Sequence, residues 1–167
     1  LTAFAMQRTE AIDANASLTP QNQQNWFQAR RQCRLMGADL ASEAQWQWAA
    51  QSLNNNWLWG WGNAGPGCTA AAGVHVVNTV GCFGAVRPAC SMPSGRSAQG
   101  ICELAGNADW EWVLDGLNGP GPVAADINPV HRLSAYDSAY RRGGSFSSVR
   151  YYARANYRNY DSRSLAS

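Results

Sequence analysis

Hydrophobic residues recur at helical spacing in the first third of the chain. Trp26 is followed at three, seven and ten positions by Ala29, Cys33 and Met36, and this spacing places all four on one helical face. Thr19 and Pro20 precede this run, and Pro is favoured in a first turn because its missing N–H costs nothing there. Gly37 follows the run and is typical of a residue that ends a helix. The pattern predicts a first helix that opens at Thr19-Pro20 and ends at Gly37.

A second helix is predicted directly after the first. Ser42 and Gln45 have the spacing of a capping box, in which each side chain binds the backbone N–H of the other residue. The apolar residues that follow predict a buried face, which consists of Trp46, Ala49, Ala50 and Leu53. We expect the neighbouring Trp48 at the rim of the core.

Strand signals are few, and the loops between them are long. Residues 1–12 alternate weakly and predict a short strand, while Trp110, Trp112 and Leu114 alternate clearly and predict another. Residues 54–99 are rich in Gly, Pro, Cys and Asn and show little periodicity, which favours a fold whose loops are functional. Because no composition shift marks a boundary, residues 1–167 are predicted to form a single domain.

Composition narrows the classes of partner. Eight tryptophans and only 14% charged residues indicate a core built from large rings. All 13 basic residues are Arg, and seven of them lie between Arg132 and Arg163. Such a group of arginines could bind nucleic acid, but nucleic-acid-binding domains usually carry a much larger positive charge than +2. We therefore expect no nucleic-acid partner. No run of 18 apolar residues occurs, so no membrane span is predicted.

The cysteines leave two readings open. There are five, so at least one thiol is free or pairs between chains. A Cys68–Cys82 disulfide would staple a Gly/Ala-rich loop and would indicate an oxidising compartment. The alternative is a metal site made by Cys68, Cys82 and Cys90, but their spacings match no C-x₂-C knuckle.

Four separated stretches resemble one family in order and spacing. They are WFQARRQCRLMGADLASEAQWQWAA at 26–50, WGWGN at 59–63, ELAGNADWEW at 103–112 and YRRGGSF at 140–146. Together they are similar to the formylglycine-generating-enzyme, or sulfatase-modifying-factor, domain. The resemblance implies an α+β, C-type-lectin-like fold, with two helices packed on small, twisted, mostly antiparallel sheets joined by long loops.

The resemblance also identifies the positions at which the family's enzymes carry their redox cysteines. The enzymes of this family oxidise a substrate cysteine with two copper-holding cysteines, at the third and eighth positions after the Ser of the GGS turn. Ser145 matches that Ser, so the matching positions are Ser148 and Ala153, and neither can supply a thiolate. Iron-dependent relatives need a His-rich partner domain, whereas this chain has only His75 and His131. We therefore expect no catalytic activity.

The resemblance also implies a possible cofactor. Many members hold Ca²⁺ near the GNxWEW turn, and the matching residues here are Glu103, Gly106, Ala108 and Glu111. Oxygen ligands of this kind suit calcium. Asp109 is an extra residue within the motif, which puts the register in doubt. In the alternative reading, Asn107 and Glu111 hydrogen-bond loop backbone and cap a turn.

The C-terminal segment, residues 145–167, has the composition of a binding surface. Its 23 residues include six Ser, four Arg, four Tyr and two Asn, which are types that paratopes use. The segment resembles the variable region of diversity-generating retroelement proteins, with Arg154 and Arg158 as scaffold. The candidate variable, ligand-binding positions are Ser147, Ser148, Val149, Tyr151, Tyr152, Asn156, Tyr157, Asn159, Tyr160 and Asp161.

These observations predict a non-catalytic display protein that binds a protein or surface-glycan ligand, at a cell surface or on a virion. The alternatives are an oxidase relative or a family member with a non-diversified binding role. A Tyr-rich segment can also be an ordinary loop packed on the domain, so the display reading requires tyrosines that are exposed on one face and tryptophans that are buried. Core character is expected only for Phe146, Val149, Leu165 and the alanines. The family's closing strand, which reads NIGFR, does not follow before Ser167, so either the sequence is part of a longer protein or its ends are modified.

Overall fold

The computed structural model describes residues 5–6, 20, 23–52, 55–68, 75–117 and 137–166. Two α-helices come first, α1 at Trp26–Leu35 and α2 at Glu43–Ala50. The strands follow, and they are β1 at Pro66–Gly67, β2 at His75–Val76, β3 at Glu111–Gly116, β4 at Ser138–Arg142 and β5 at Asn159–Ser162. Short 3₁₀ helices lie at Pro93–Gly95 and Arg150–Ala153.

The main sheet is antiparallel, with the strand order β3-β4-β5. Trp112 lies opposite Arg141, and the register shifts between Trp112 and Gly116. Tyr140 lies opposite Tyr160 in the next pair. The strands β1 and β2 pair in parallel over two residues. This is the predicted α+β arrangement of two helices, small sheets and long loops.

The first helix begins later than the sequence predicted. Asn25 is its N-cap, and Asn25 and Gln28 form a capping box. Gln23, just before it, has a φ of +56°, which no helix continues through. The predicted opening at Thr19-Pro20 is therefore wrong, since Pro20 lies in an isolated bridge instead. The predicted end at Gly37 is confirmed by the backbone bond from its N–H to Arg34.

Only one residue of α1 is buried. Trp26 packs inward, whereas Met36 is 55% exposed and Ala29 and Cys33 are half-buried. The helix therefore buries fewer residues than the spacing of its apolar side chains predicted. A helix of only ten residues depends on its packing for stability.

The second helix matches its prediction. Ser42 caps it, and its capping box with Gln45 is complete. Trp46, Ala49 and Ala50 are buried in the core, while Trp48 is half-buried. Leu53 lies outside the described residues.

The three-stranded sheet separates two hydrophobic clusters. Trp26 of α1 packs with Trp112 and Ala139 on one side. Trp46 of α2 packs with Val113, Tyr140 and their neighbours on the other side. Successive residues of a strand point to opposite faces, so β3 and β4 supply both clusters. The indole of Trp26 also donates to the carbonyl of Val113 at 2.9 Å, which fixes α1 against the sheet.

Two disulfides hold the loops between α2 and β3. The predicted Cys68–Cys82 disulfide is present. A second, between Cys90 and Cys102, was not predicted. All three cysteines of the alternative metal site, Cys68, Cys82 and Cys90, are therefore in disulfides, so that alternative is wrong. Cys33 on α1 is the free thiol that the odd count required.

Candidate functional site

A double-glycine turn leads from β4 into the C-terminal segment. Gly143 and Gly144 have φ of +84° and +73°, a region that side chains disfavour. A Cβ on Gly143 would lie 2.9 Å from the carbonyl oxygen of Leu104. The turn thus lets the segment start in contact with the loop around Leu104.

Asn107 ties three loops together beneath this turn. Its side-chain oxygen accepts from the amide of Asn78 at 3.2 Å and from the backbone of Arg87 at 2.9 Å. Its backbone donates to the carbonyl of Asn78 and accepts from the N–H of Phe146. This fully buried side chain therefore performs the loop-fixing role that the sequence offered for it as an alternative to calcium binding.

The two serines that follow Phe146 in the chain differ in exposure. Ser147 is exposed, whereas Ser148 is only 8% exposed. The Ser148 hydroxyl accepts from the backbone N–H of Ser145 at 3.0 Å, and its carbonyl accepts from Val80 at 2.9 Å. Ser148 therefore fixes the backbone, and its buried side chain is not placed to contact a ligand.

A buried ion network anchors the middle of the segment. Glu43 at the start of α2 is fully buried, and its carboxylate accepts from Arg142 at 2.7 Å. Arg158 binds both oxygens of the same carboxylate, at 2.6 and 2.7 Å. Arg142 also donates to the carbonyl of Ala155 at 2.8 Å. Burial lowers the pKa of Arg142 to about 10, which still leaves it charged at neutral pH.

Four aromatic rings form a cluster at the surface, which we call the aromatic cluster. Its members are Trp110, Tyr151, Tyr152 and Tyr157. Tyr152 and Tyr157 have ring centroids 4.7 Å apart, and Tyr151 meets Tyr157 edge to face at 5.1 Å. Trp110 lies 5.6 Å from Tyr152. Tyr151 is 51% exposed, and the other three rings are half-buried. Desolvation and the neighbouring phenols raise the pKa of Tyr157, so its phenol stays a neutral hydrogen-bonding group.

Two guanidinium groups flank the aromatic cluster. Arg154 lies 4.6 Å from the ring centre of Tyr151, and Arg141 lies 5.1 Å from that of Trp110. Arg141 is in turn held by Asp161 at 3.0 Å. Contacts of this kind orient the rings while leaving their outer faces open to a ligand.

The candidates on β5 divide between the two faces of the sheet. Asp161 points towards Arg141, and Asn159 shares its face by the two-residue period of a strand. Tyr160 points the other way, opposite Tyr140, and is 55% exposed. Tyr160 is therefore exposed but does not belong to the aromatic cluster.

The remaining predicted positions lie as follows. Val149 and Leu165, expected to have core character, are instead exposed, while Ala153 and Ala155 are buried. Asn156 is exposed beside the aromatic cluster. The sequence missed Trp110 as a member of the cluster and Glu43 as the anchor. Trp110 carried no signal of its own, because its alternation with Trp112 indicated strand packing alone.

The positions that match the family's redox pair lie inside the protein. Ser148 and Ala153 are both buried. Among the described cysteines, four form disulfides and Cys33 lies on α1. The described part of the chain therefore places no thiol at the family's oxidase positions.

Three of the predicted calcium residues lie in the buried loop before β3, and the fourth, Glu111, begins that strand. Glu103 accepts from the N–H of Cys90 at 2.8 Å through one oxygen, and its other oxygen has no hydrogen-bond partner among the described residues. Glu111 accepts from the indole of Trp46 at 2.5 Å. Burial raises the pKa of both carboxyls, that of Glu111 to about 7. Gly106 and Ala108 are buried between them in the chain. The free oxygen of Glu103 fits a cation, but the other carboxylate is already engaged.

Within the described ranges, neither helix has the length and apolar character that a membrane crossing requires.

Comparisons with known proteins agree with this geometry. The solved structure of PvdO from Pseudomonas aeruginosa superposes with a TM-score of 0.68 at 19% identity, covering 90% of this chain and 59% of that one. Variable protein 1 of Treponema denticola superposes with a TM-score of 0.67 at 16% identity, covering 94% of this chain and 71% of that one. This chain therefore spans less than two thirds of the length of PvdO.

At these identities the two structures establish the fold. No curated protein matches the sequence. The sequence model for the sulfatase-modifying factor enzyme 1-like domain matches residues 4–166, which is nearly the whole chain. The chain belongs to the family of sulfatase-modifying factor enzyme 1-like domains.

Proposed function

We propose that this protein is a non-catalytic display module whose C-terminal segment binds a protein or surface-glycan ligand. The observation that carries the proposal is the aromatic cluster, in which Tyr151 is exposed and the other three rings are half-buried, and whose backbone is held by buried polar contacts. In this proposal residues 1–167 act as one domain, located at a cell surface or on a virion.

The aromatic cluster has the physical properties of a contact surface. Tyr and Trp supply large areas with few rotatable bonds, so little conformational entropy is lost when they bind. Tyr151, Tyr152 and Tyr157 hold each other in place, which organises the surface before a ligand arrives. Exposed Ser147 and Asn156 add hydrogen-bonding groups beside the rings.

The division between fixed and exposed positions favours diversification. Arg158 and Ser148 hold the segment through contacts with Glu43 and Val80, which are far away in sequence. The exposed side chains between them make few such contacts, so the surface can change while the backbone stays. The likeness to a Treponema denticola variable protein supports the same idea. We infer that the segment is a variable region of a diversity-generating retroelement.

A genomic comparison tests the diversification directly. We expect a near-copy of the codons for residues 145–167 close to the gene, with adenines at the variable positions, and a reverse transcriptase gene nearby. A gene neighbourhood with neither feature contradicts diversification, but it leaves the binding role intact.

Binding is tested by displaying the whole chain in two libraries of equal size. One library randomises Tyr151, Tyr152, Asn156 and Tyr157. The matched control randomises four exposed loop positions, namely Val80, Phe83, Ala85 and Arg87. After selection against a panel of proteins and glycans, we expect folded clones in both libraries and enriched binders mainly in the first. Equal enrichment, or loss of folding in most clones of the first library, contradicts the proposal.

The oxidase alternative has its own experiment. A family-type oxidase takes up copper under reducing conditions and converts a cysteine peptide to an aldehyde. With Ser148 and Ala153 at the matching positions, we expect neither result. Aldehyde formation detected by mass spectrometry would overturn the non-catalytic assignment.

Calcium remains a separate proposal for the loop around Glu103. The free carboxylate oxygen of Glu103 and the backbone carbonyls of Gly106 and Ala108 would supply hard oxygen ligands, together with the Glu111 oxygen that the indole of Trp46 does not bind. Bound calcium would stiffen the loop that carries Asn107. We expect a higher melting temperature in calcium than in chelator, and loss of this difference in Glu103→Gln. An unchanged melting temperature contradicts the site.

A further inference from the structure

Large apolar side chains are exposed at both ends of α1. Phe27 is 50% exposed and Leu35 is 78% exposed, and Met36 follows directly. Phe27, Arg31, Arg34 and Leu35 are spaced at i, i+4, i+7 and i+8, so they form one stripe. All four are exposed, whereas Trp26 is the one buried residue of the helix. The stripe therefore has apolar ends and a basic centre.

A groove of about 510 Å³ runs beside this stripe. Trp26 and Phe27 lie at one end, Leu35 lies at the other, and arginines form the walls. Arg163 enters from the C-terminal segment, with its guanidinium 5.5 Å from the ring of Trp26 and 5.2 Å from that of Phe27. The groove thus offers apolar area between guanidinium groups, and it includes no residue of the aromatic cluster.

The charge of the groove is not balanced by the described residues. Arg30 and Arg34 share one carboxylate, that of Asp39, at 2.8 and 3.3 Å. Arg163 pairs with Asp137, which is itself largely exposed. Arg31 has no ion pair among the residues that the structure describes. Four guanidinium groups therefore face two carboxylates, so the groove complements an acidic partner.

We propose that this groove, which we call the α1 groove, docks an acidic amphipathic segment of a partner protein. The apolar side of such a segment would cover Phe27 and Leu35, and its carboxylates would pair with Arg31 and Arg34. Arg binds carboxylates through two parallel hydrogen bonds, which adds orientation to attraction. The stripe from Phe27 to Leu35 is about 12 Å long, which matches about two turns of a bound helix.

A nucleic acid is a poorer match for the same groove. Its phosphates would satisfy the arginines, but they would leave the aliphatic ends of the stripe without an apolar partner. Leu35 and Met36 would then stay in water, although burying them contributes to binding a protein. The amphipathic character of the stripe therefore favours a peptide.

The test uses the whole chain and a fluorescein-labelled peptide that alternates Leu and Glu at helical spacing. The comparison ligands are a scrambled peptide of the same composition, a version with Lys in place of Glu, and a labelled DNA duplex. Fluorescence anisotropy should show the amphipathic acidic peptide binding most tightly. Equal affinity for the scrambled peptide, or tighter binding of DNA, overturns the proposal.

Matched variants locate the binding. Arg31→Glu and Arg150→Glu change the net charge equally, and both residues are exposed. We expect Arg31→Glu to weaken the peptide about tenfold or more, and Arg150→Glu, next to the aromatic cluster, to leave the affinity unchanged. Leu35→Ala should also weaken binding, while circular dichroism confirms that each variant is folded. Equal effects of the two charge reversals would reduce the binding to general electrostatics and refute the α1 groove.

Discussion

Arg158 donates two hydrogen bonds to the carboxylate of Glu43, at 2.6 and 2.7 Å, although the two residues are 115 positions apart in the sequence. Arg142 binds the same carboxylate from inside the core. One buried acid therefore joins the start of α2 to β4, the central strand of the sheet, and to the C-terminal segment. The exposed tyrosines are carried by a backbone that this contact holds in place.

Removing the charge of Glu43 should destabilise the fold strongly. Glu43→Gln leaves two guanidinium groups without their counter-charge, one of them fully buried, so we expect a loss of about 3–5 kcal/mol. Urea denaturation measures the change. Asp39→Asn is the control, because it breaks partly exposed pairs with Arg30 and Arg34 and should cost about 1 kcal/mol or less. Similar losses in the two variants would show that the network is not structural.

Neighbouring serines should respond oppositely to the same substitution. Ser147→Tyr places a ring in solvent and should change the free energy of unfolding by about 0.5 kcal/mol or less. Ser148→Tyr must fit a ring at a buried position where the hydroxyl lies 3.0 Å from both the backbone N–H and the hydroxyl of Ser145. We expect it to cost about 3 kcal/mol or more, or to prevent folding. Thermal denaturation compares them, and equal tolerance would return Ser148 to the variable set.

Two glycines with similar backbone angles should differ in their tolerance of Ala. Gly106 and Gly37 have φ of +69° and +77°, so both variants carry the same backbone strain. A Cβ on Gly106 would lie 2.3 Å from the carbonyl oxygen of Asn78, whereas one on Gly37 meets nothing within 4 Å. We expect Gly37→Ala to cost about 1–2 kcal/mol and Gly106→Ala clearly more. Chemical denaturation gives both values, and equal costs would mean that the Gly106 loop moves freely.

The carboxyl of Glu111 should make stability depend on pH. Burial raises its pKa from 4.5 to about 7, so between these values the folded chain holds a proton that the unfolded chain has lost. The associated stability is fully present below pH 4.5 and is lost as the pH rises through about 7. Unfolding free energies measured in chelator should fall across this window, and Glu111→Gln should flatten that fall. An identical pH profile in the variant would contradict the assignment.

Local patterns in the sequence predicted much of the frame. The capping box of Ser42 and Gln45 and the end of α1 at Gly37 depend on residues within one helical turn, so they can be recognised directly. The motifs around Trp59, Asn107 and Gly143 identified the family, and the GGS turn identified Ser148 and Ala153 as its redox positions. The predicted start of α1 at Thr19-Pro20 was wrong, because the positive φ of Gln23 interrupts the backbone and the helix begins after Asn25 instead.

Tertiary structure decided which residues of the C-terminal segment face solvent. That segment has no helical or strand period before β5, so composition alone could not separate Ser147 from Ser148, or Tyr157 from Tyr160. Their positions depend on partners far along the chain, such as Val80 for Ser148. The sequence by itself determined the family, the capping box of α2, the end of α1 and the lack of redox cysteines, because these rest on local spacing. The folded chain alone decided the anchor at Glu43 and the aromatic cluster, because burial depends on contacts between distant segments.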